Sequence, residues 1–267
     1  MIDTQKTENR TQSLFTGSKV KAHQRLIREK RERENLDADL FGRWWEDLDI
    51  SRENADVREV DYKTAESVIL DYEWLGTMPS GMKIAIGLYF DGAIAAVECF
   101  TDSKAGSMYS FNNEPAICLA RGACVHWAPK WAASYLIPRA VKMIDAEAYH
   151  YVIAYSDTDA GEIGTVYQAC NWICTGAVKN VFWGSPDGRR YDQRHHRDLA
   201  KERVDGKMKV VDQKHLQVKE QLLADGWQYK EGGTRFRYVF ALGTGREAKA
   251  RRKRLAKFAR PYPKRGY

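Results

Sequence analysis

The sequence predicts an α/β domain built on a mixed sheet flanked by helices, with a basic helical extension before it and a basic tail after it. Three observations lead there. Apolar segments of strand and helix length alternate between residues 61 and 184, and an Asp91-Gly92 pair joins two apolar runs, KIAIGLYF and AIAAVECF. The 267 residues, 43% hydrophobic and 12% aromatic, are also enough to bury one sizeable core.

Each element follows from its own pattern. Residues 19–48 read as a charged helix ending in Phe41, Trp44, Trp45 and Leu48, an apolar face suited to docking on the main domain. DYKTAESVIL (61–70) reads as a helix and LGTMPSG (75–81) as a turn. Asp-Gly between apolar runs is a strong hairpin signal, so the two runs pair. ICLARGACVHW (117–127) is the next strand, and the segment after it sets Trp131, Tyr135, Ile137, Val141 and Ile144 on a helix despite Pro138. YHYVIAYSD (149–157) is strand-like, and GEIGTVYQACNW (161–172) is a loop running into a short helix. AVKNVFWG (177–184) and TRFRYVFALG (234–243) are strands expected to pair, with Phe236, Tyr238 and Phe240 on one face and Arg235, Arg237 and Val239 on the other. The expected organisation is an extension at 1–55, a core at 56–184, a polar basic insert with a helix at 185–233, a closing strand at 234–245 and a basic tail at 246–267.

The net charge of +7 gathers at the two ends. Lys19, Lys21, Arg25, Arg28, Lys30, Arg31 and Arg33 form one run. Ten more lysines and arginines between Arg246 and Arg265 face a single acid, Glu247. Such arms are either solvated tails or phosphate binders, and phosphate binding is the better reading for the second, since clustered cations release counterions from a polyanion. A phosphate polyanion is the expected partner, contacted by Arg194, His195 and His196 of the insert and by Arg251, Arg252 and Arg254 of the tail. No run of eighteen apolar residues occurs and the amino terminus is polar, so a soluble cytoplasmic chain with no membrane partner is expected. Five cysteines without a CxxC pair read as reduced core thiols.

Four positions stand out, each with a plain and a functional reading. Arg121 lies in an apolar strand and needs an anionic partner, either a core carboxylate or a donor phosphate. Ser134 at a helix start is either a cap or a donor contact. Asp157 is either an Asx turn or a site carboxylate, its place at the carboxyl end of a strand favouring the site. Tyr167 is either a core aromatic or a general acid, and the acid reading is favoured. Glu162, between Gly161 and Gly164, is a loop carboxylate able to serve as base.

The order strand, helix, strand, small tyrosine-bearing helix resembles that of the GNAT acyltransferases, with Tyr167 at the position of their tyrosine. LGTMPSG, RGACVHWAPKWAASYLI and YSDTDAGEIGTVYQACNW together are similar to the phage Mom family of DNA-modification proteins, over about residues 61–184. The resemblance implies a GNAT-like fold, double-stranded DNA as the partner that the basic residues contact, and conversion of adenine in that DNA to its N6-carbamoylmethyl form, which shields phage DNA from restriction. It also implies an acyl donor, a thioester such as acetyl-CoA or an aminoacyl-tRNA, with its pyrophosphate on the first turn at 128–134. Arg121, Ser134, Asp157 and Tyr167 carry over by position. Glu73 in YEWLGT and Glu162 in GEIG stand where relatives carry His, so the iron suggested for the family loses its usual ligands, although these carboxylates with Asp157 suit a hard or borderline cation. On this reading Glu73, Glu162 or Asp157 is the base and Tyr167 the acid, while Trp74, Trp127, Trp131 and Trp172 offer stacking surfaces to an extruded base. An ordinary amine acetyltransferase and a non-catalytic DNA binder remain the alternatives.

Overall fold

The computed structural model of the chain describes residues 22–38, 43–102, 110–192, 196, 199–204 and 207–264. The chain forms two compact units, Lys21–Ala177 with Arg235–Tyr267, and a smaller one containing Val178–Thr234.

The larger unit starts with α1 (His23–Ala38) and a 3-10 turn at Trp44–Asp47, inside the span expected to be helical; Phe41 lies outside the described residues. Strand β1 (Asp56–Val60), which gave no recognised strand signal, leads into α2 (Tyr62–Tyr72). The Asp61 carboxylate accepts from the Thr64 N–H at 2.8 Å and so caps α2, whose Ala65, Val68 and Ile69 face the core at helical spacing. Strands β2 (Met82–Phe90) and β3 (Ala93–Thr101) form the expected hairpin, with φ of 47° at Asp91 and 82° at Gly92. Two successive left-handed residues suit the twist of the paired strands, and Asp-Gly tolerates them.

After β4 (Ser110–Phe111), β5 (Glu114–Cys124) passes into α3 (Ala132–Lys142) and returns as β6 (Tyr151–Asp157). β5 and β6 pair in parallel, which obliges the chain to cross back through a helix. Pro138 lies within α3 and cannot donate to the Ser134 carbonyl one turn earlier; that oxygen accepts from Cys170 Sγ at 3.7 Å instead. The short α4 (Thr165–Ala169) follows, and then β7 (Ile173–Gly184).

In the smaller unit lie β8 (Arg190–Asp192), the antiparallel pair β9 (Lys201–Val204) and β10 (Lys207–Val210), and α5 (Asp212–Ala224). Trp183 is its buried anchor, 5.1 Å from the Tyr229 ring. β11 (Gln228–Ala241) then re-enters the larger unit. The main sheet runs β1-β2-β3-β5-β6-β11-β7-β8, with β4 on β5, so the late strand lies beside β7 as expected and also pairs with β6. Its alternation buries both faces: Tyr238 joins the large core with Trp172, and Val239 joins a second cluster with Phe111, Tyr151 and Leu255.

The basic tail differs from the expectation. Its first part is a helix, α6 (Gly245–Ala256), which buries Ala248, Arg251 and Leu255. Those three recur at i, i+3 and i+7, a docking stripe that the surrounding charge hid. All five cysteines are free and buried. No helix among the described residues is long and apolar enough to cross a membrane.

Candidate active site

Parallel pairing between β5 and β6 stops at Leu119 and Ala154, although β5 continues to Cys124 and β6 to Asp157. The two strands part at their carboxyl ends, where α/β folds place their sites. A register shift at Cys99/Phe100 marks a bulge between β3 and β5 next to this opening. On its β5 side the Gly122 carbonyl accepts from Gln24 Nε2 of α1 at 2.7 Å.

Five of the residues singled out from the sequence gather here. Arg121 finds its anionic partner in Glu73, 3.7 Å away, and also donates to the Thr77 and Ala120 carbonyls at 3.0 and 2.7 Å. Glu73 caps the end of α2 and accepts from the Leu75 and Gly76 amides at 2.7 and 3.2 Å, so this pair fixes the turn at 73–77. Asp157 is the last residue of β6; it forms the Asx turn, accepting from the Asp159 amide at 2.9 Å, and lies 3.6 Å from Arg235. Its carbonyl accepts from the Glu162 amide at 3.0 Å, bringing Glu162 to the opening. Burial, with the charges of Glu73 and Asp157 nearby, pushes the Glu162 carboxyl up to about 7. Gly164, at φ 73°, starts α4 against the Tyr238 ring, where a side chain would collide, and so aims Tyr167 inward. The Tyr167 ring rests 5.2 Å from Trp172 and 5.3 Å from Tyr238. Burial first, then the charges of Glu98 and Glu162, hold its hydroxyl protonated far above the usual phenol range.

Other expected residues lie elsewhere. Ser134 is exposed on α3; its hydroxyl donates back to the Trp131 carbonyl at 3.0 Å, and it lines a hollow of about 290 Å³ with Arg52, Tyr135 and Arg139. Arg194 and His195 fall outside the described residues. His196 is half-buried, accepting from Trp183 Nε1 at 3.3 Å and packing on His215. Arg251 is 2% exposed and spends its guanidinium on Glu247 and on the Ala146 and Leu242 carbonyls, so it docks α6 rather than facing outward. Arg254 clasps Glu114 with two nitrogens at 2.9 and 2.8 Å, and Arg252 alone of the three is exposed. Trp172 is buried in the core and offers no stacking face, whereas Trp74, Trp127 and Trp131 are partly exposed.

The Mom protein family model matches residues 54–264. The chain belongs to that family. No curated protein sequence matches it. Among solved structures, this Mom-family chain is similar to a GNAT family acetyltransferase from Elizabethkingia anophelis with acetyl-CoA bound, at 8% identity and TM-score 0.42, over 72% of this chain and 100% of that one. A GNAT acetyltransferase from Bacillus cereus follows at 10% identity and TM-score 0.40, over 71% and 99%. An N-acetyltransferase from Staphylococcus aureus matches at 9% and 0.37, over 70% and 97%.

Among the described residues of this family member, no group of three His, Cys, Asp or Glu side chains is arranged to hold a metal ion. The Glu73 and Asp157 carboxylates accept bonds from backbone amides. One further group at the opening gave no sequence signal. Glu98 of β3 stands directly opposite Gly122 of β5 and is 5% exposed.

Proposed function

We propose that this Mom-family chain is a DNA-modification enzyme that transfers an acyl-derived, carbamoylmethyl-type group to N6 of adenine and thereby protects DNA from restriction. The observation that carries this reading is the pairing of Glu162 and Tyr167 where β5 and β6 part. A carboxyl near 7 is half ionised at neutral pH and takes up a proton readily, while a phenol held protonated has one to give. Adenine N6 is a weak nucleophile because its lone pair is delocalised into the ring, so it needs both services at once. Glu162 removes the N–H proton as the new bond forms, and Tyr167 protonates the departing group. Arg121, held by Glu73, keeps positive charge at the rim.

The donor is an activated acyl derivative whose leaving group departs as the N6–carbon bond forms; attack at its carbonyl leaves an amide on N6, and the carbamoylmethyl form requires attachment through the methylene carbon. The first turn of α3 and the hollow beside Ser134, with Arg52 and Arg139, support an anionic donor such as a coenzyme A thioester. DNA is engaged through α1. Gln24, and Arg28 donating to the His126 carbonyl at 3.1 Å, tie α1 across the end of β5. This leaves Arg33 exposed together with Arg25 and Lys30, whose surface pairs with Glu29 and Glu34 a phosphate would displace. The target base leaves the duplex to reach the opening.

Nucleoside mass spectrometry of DNA from cells expressing the chain tests the reading. A deoxyadenosine of raised mass is expected with the wild type and is lost with Glu162→Gln. Unmodified adenine together with acetylation of a protein or small amine would move the chain to the amine acetyltransferases.

A further inference from the structure

We infer that Glu98 reads the acceptor base, its carboxylic acid group pairing with the exocyclic amine and the neighbouring ring nitrogen of adenine. The inference rests on the adenine-modification reading above and names the specificity element of that same opening.

The placement comes from strand register. Glu98 pairs with Gly122 across β3 and β5, so both lie on one face of the sheet beside the point where β6 turns away. A Cβ at Gly122 would collide with the Glu98 carboxyl, so glycine there makes the room that the carboxyl occupies. Glu98 is 5% exposed, and among the described residues neither a hydrogen bond nor an ion pair reaches it. A carboxyl so nearly enclosed and without a protein partner is one that a ligand entering the opening can complete. It lies close enough to bear electrostatically on Tyr167, Cys99, Cys124 and Cys170, within the same group of side chains as the proposed acid.

Burial pushes the Glu98 carboxyl well above the ordinary carboxylate range, so it stands there as a neutral acid. A neutral carboxyl presents one O–H donor and one carbonyl acceptor side by side. Adenine offers the complement: a ring nitrogen that accepts next to an amine that donates. An ionised carboxylate would have no donor for the ring nitrogen.

The test uses the full chain and short single-stranded deoxyoligonucleotides that differ at one base, adenine or unsubstituted purine, with binding read by fluorescence anisotropy. The wild type is expected to prefer adenine by on the order of tenfold. Glu98→Gln keeps that ratio, because an amide also pairs one donor with one acceptor. Glu98→Leu erases it while leaving the purine affinity in place, and Gly122→Ala erases it by displacing an intact carboxyl. Equal binding of both bases by the wild type overturns the inference. So does a preference that survives Glu98→Leu, which marks a structural filler, or one lost in Glu98→Gln, which marks an ionised group. Mass spectrometry of DNA exposed to the same wild-type protein reports separately on the reaction. Base preference without modification would sink the reaction and leave Glu98 as the reader; modification with a preference indifferent to Glu98 would do the reverse.

Discussion

Glu114 and Glu98 sit on neighbouring strands of one sheet, and their surroundings could hardly differ more. Glu114 receives Arg254 through two nitrogens, His150 Nδ1 at 2.8 Å and the Tyr151 hydroxyl at 3.2 Å. Burial alone would raise its pKa, but the bonds from Arg254 and His150 outweigh it and hold the carboxyl below its ordinary value. Glu98, and Glu162 across the opening, have no such partners, and burial raises both. A carboxylate that holds the fold together is supplied with donors by the fold. On the proposed reading, the two at the opening serve a ligand that is not part of the chain.

The largest effect that would sharpen this contrast belongs to the opening. Tyr167→Phe and Glu162→Gln should each lower the rate of adenine modification by roughly 10²–10⁴-fold in a folded protein that still binds DNA. With Glu162 as base, the wild-type rate should rise with pH through about 7, as measured by mass spectrometry of timed reactions. Stability should move the other way. The folded pKa of Glu162 lies above its ordinary 4.5, so its contribution is full below 4.5 and is lost as pH rises through about 7. Glu162→Gln should therefore melt higher than the wild type at pH 8, by up to roughly 3 kcal/mol in stability.

Glu114→Gln should do the opposite at smaller size. It should lose about 1–2 kcal/mol in chemical denaturation at pH 7, discounted because Arg254 is partly exposed, with the modification rate unchanged. The depressed pKa means this loss fades as pH falls below 4.5, where the wild-type carboxyl also protonates. A fall in rate without a fall in stability would break the contrast between the two carboxylates. The smallest effect is expected on α1. Replacing Arg25, Lys30 and Arg33 by Gln should reduce the slope of log affinity for DNA against log salt by roughly 0.9 for each phosphate that is no longer neutralised. The same change at the buried Arg251 should unfold α6 before it alters that slope.

What could be read from the sequence was local. Asp91-Gly92 specified its hairpin, DYKTAESVIL its helix, and the segment from Asp157 to Trp172 displayed a loop carboxylate and a tyrosine within ten residues of one another. Glu98 was silent because its meaning lies in Gly122, which becomes its neighbour only through strand register; alone in AIAAVECF it is one acid in an apolar strand. Arg121 was correctly read as needing an anion, but only the fold could bring Glu73, the end of a helix, to it. The stripe Ala248, Arg251 and Leu255 was present in the sequence and masked by charge, since a buried arginine carries no mark that separates it from an exposed one. β1 and the short β9 and β10 lacked the apolar runs that announce a strand.

The buried cysteines have a kinetic consequence. Burial pushes Cys99, Cys118 and Cys124 up to about 12 and Cys170 to about 11, so at pH 8 only about one thiol in a thousand or fewer is a thiolate. Cys124 and Cys170 flank the opening without a nucleophile to offer it. On the proposed reaction the transferred group then has no sulfur on which to pause, and it passes from donor to base while both are bound. Initial-rate plots against donor at several DNA concentrations should intersect instead of running parallel.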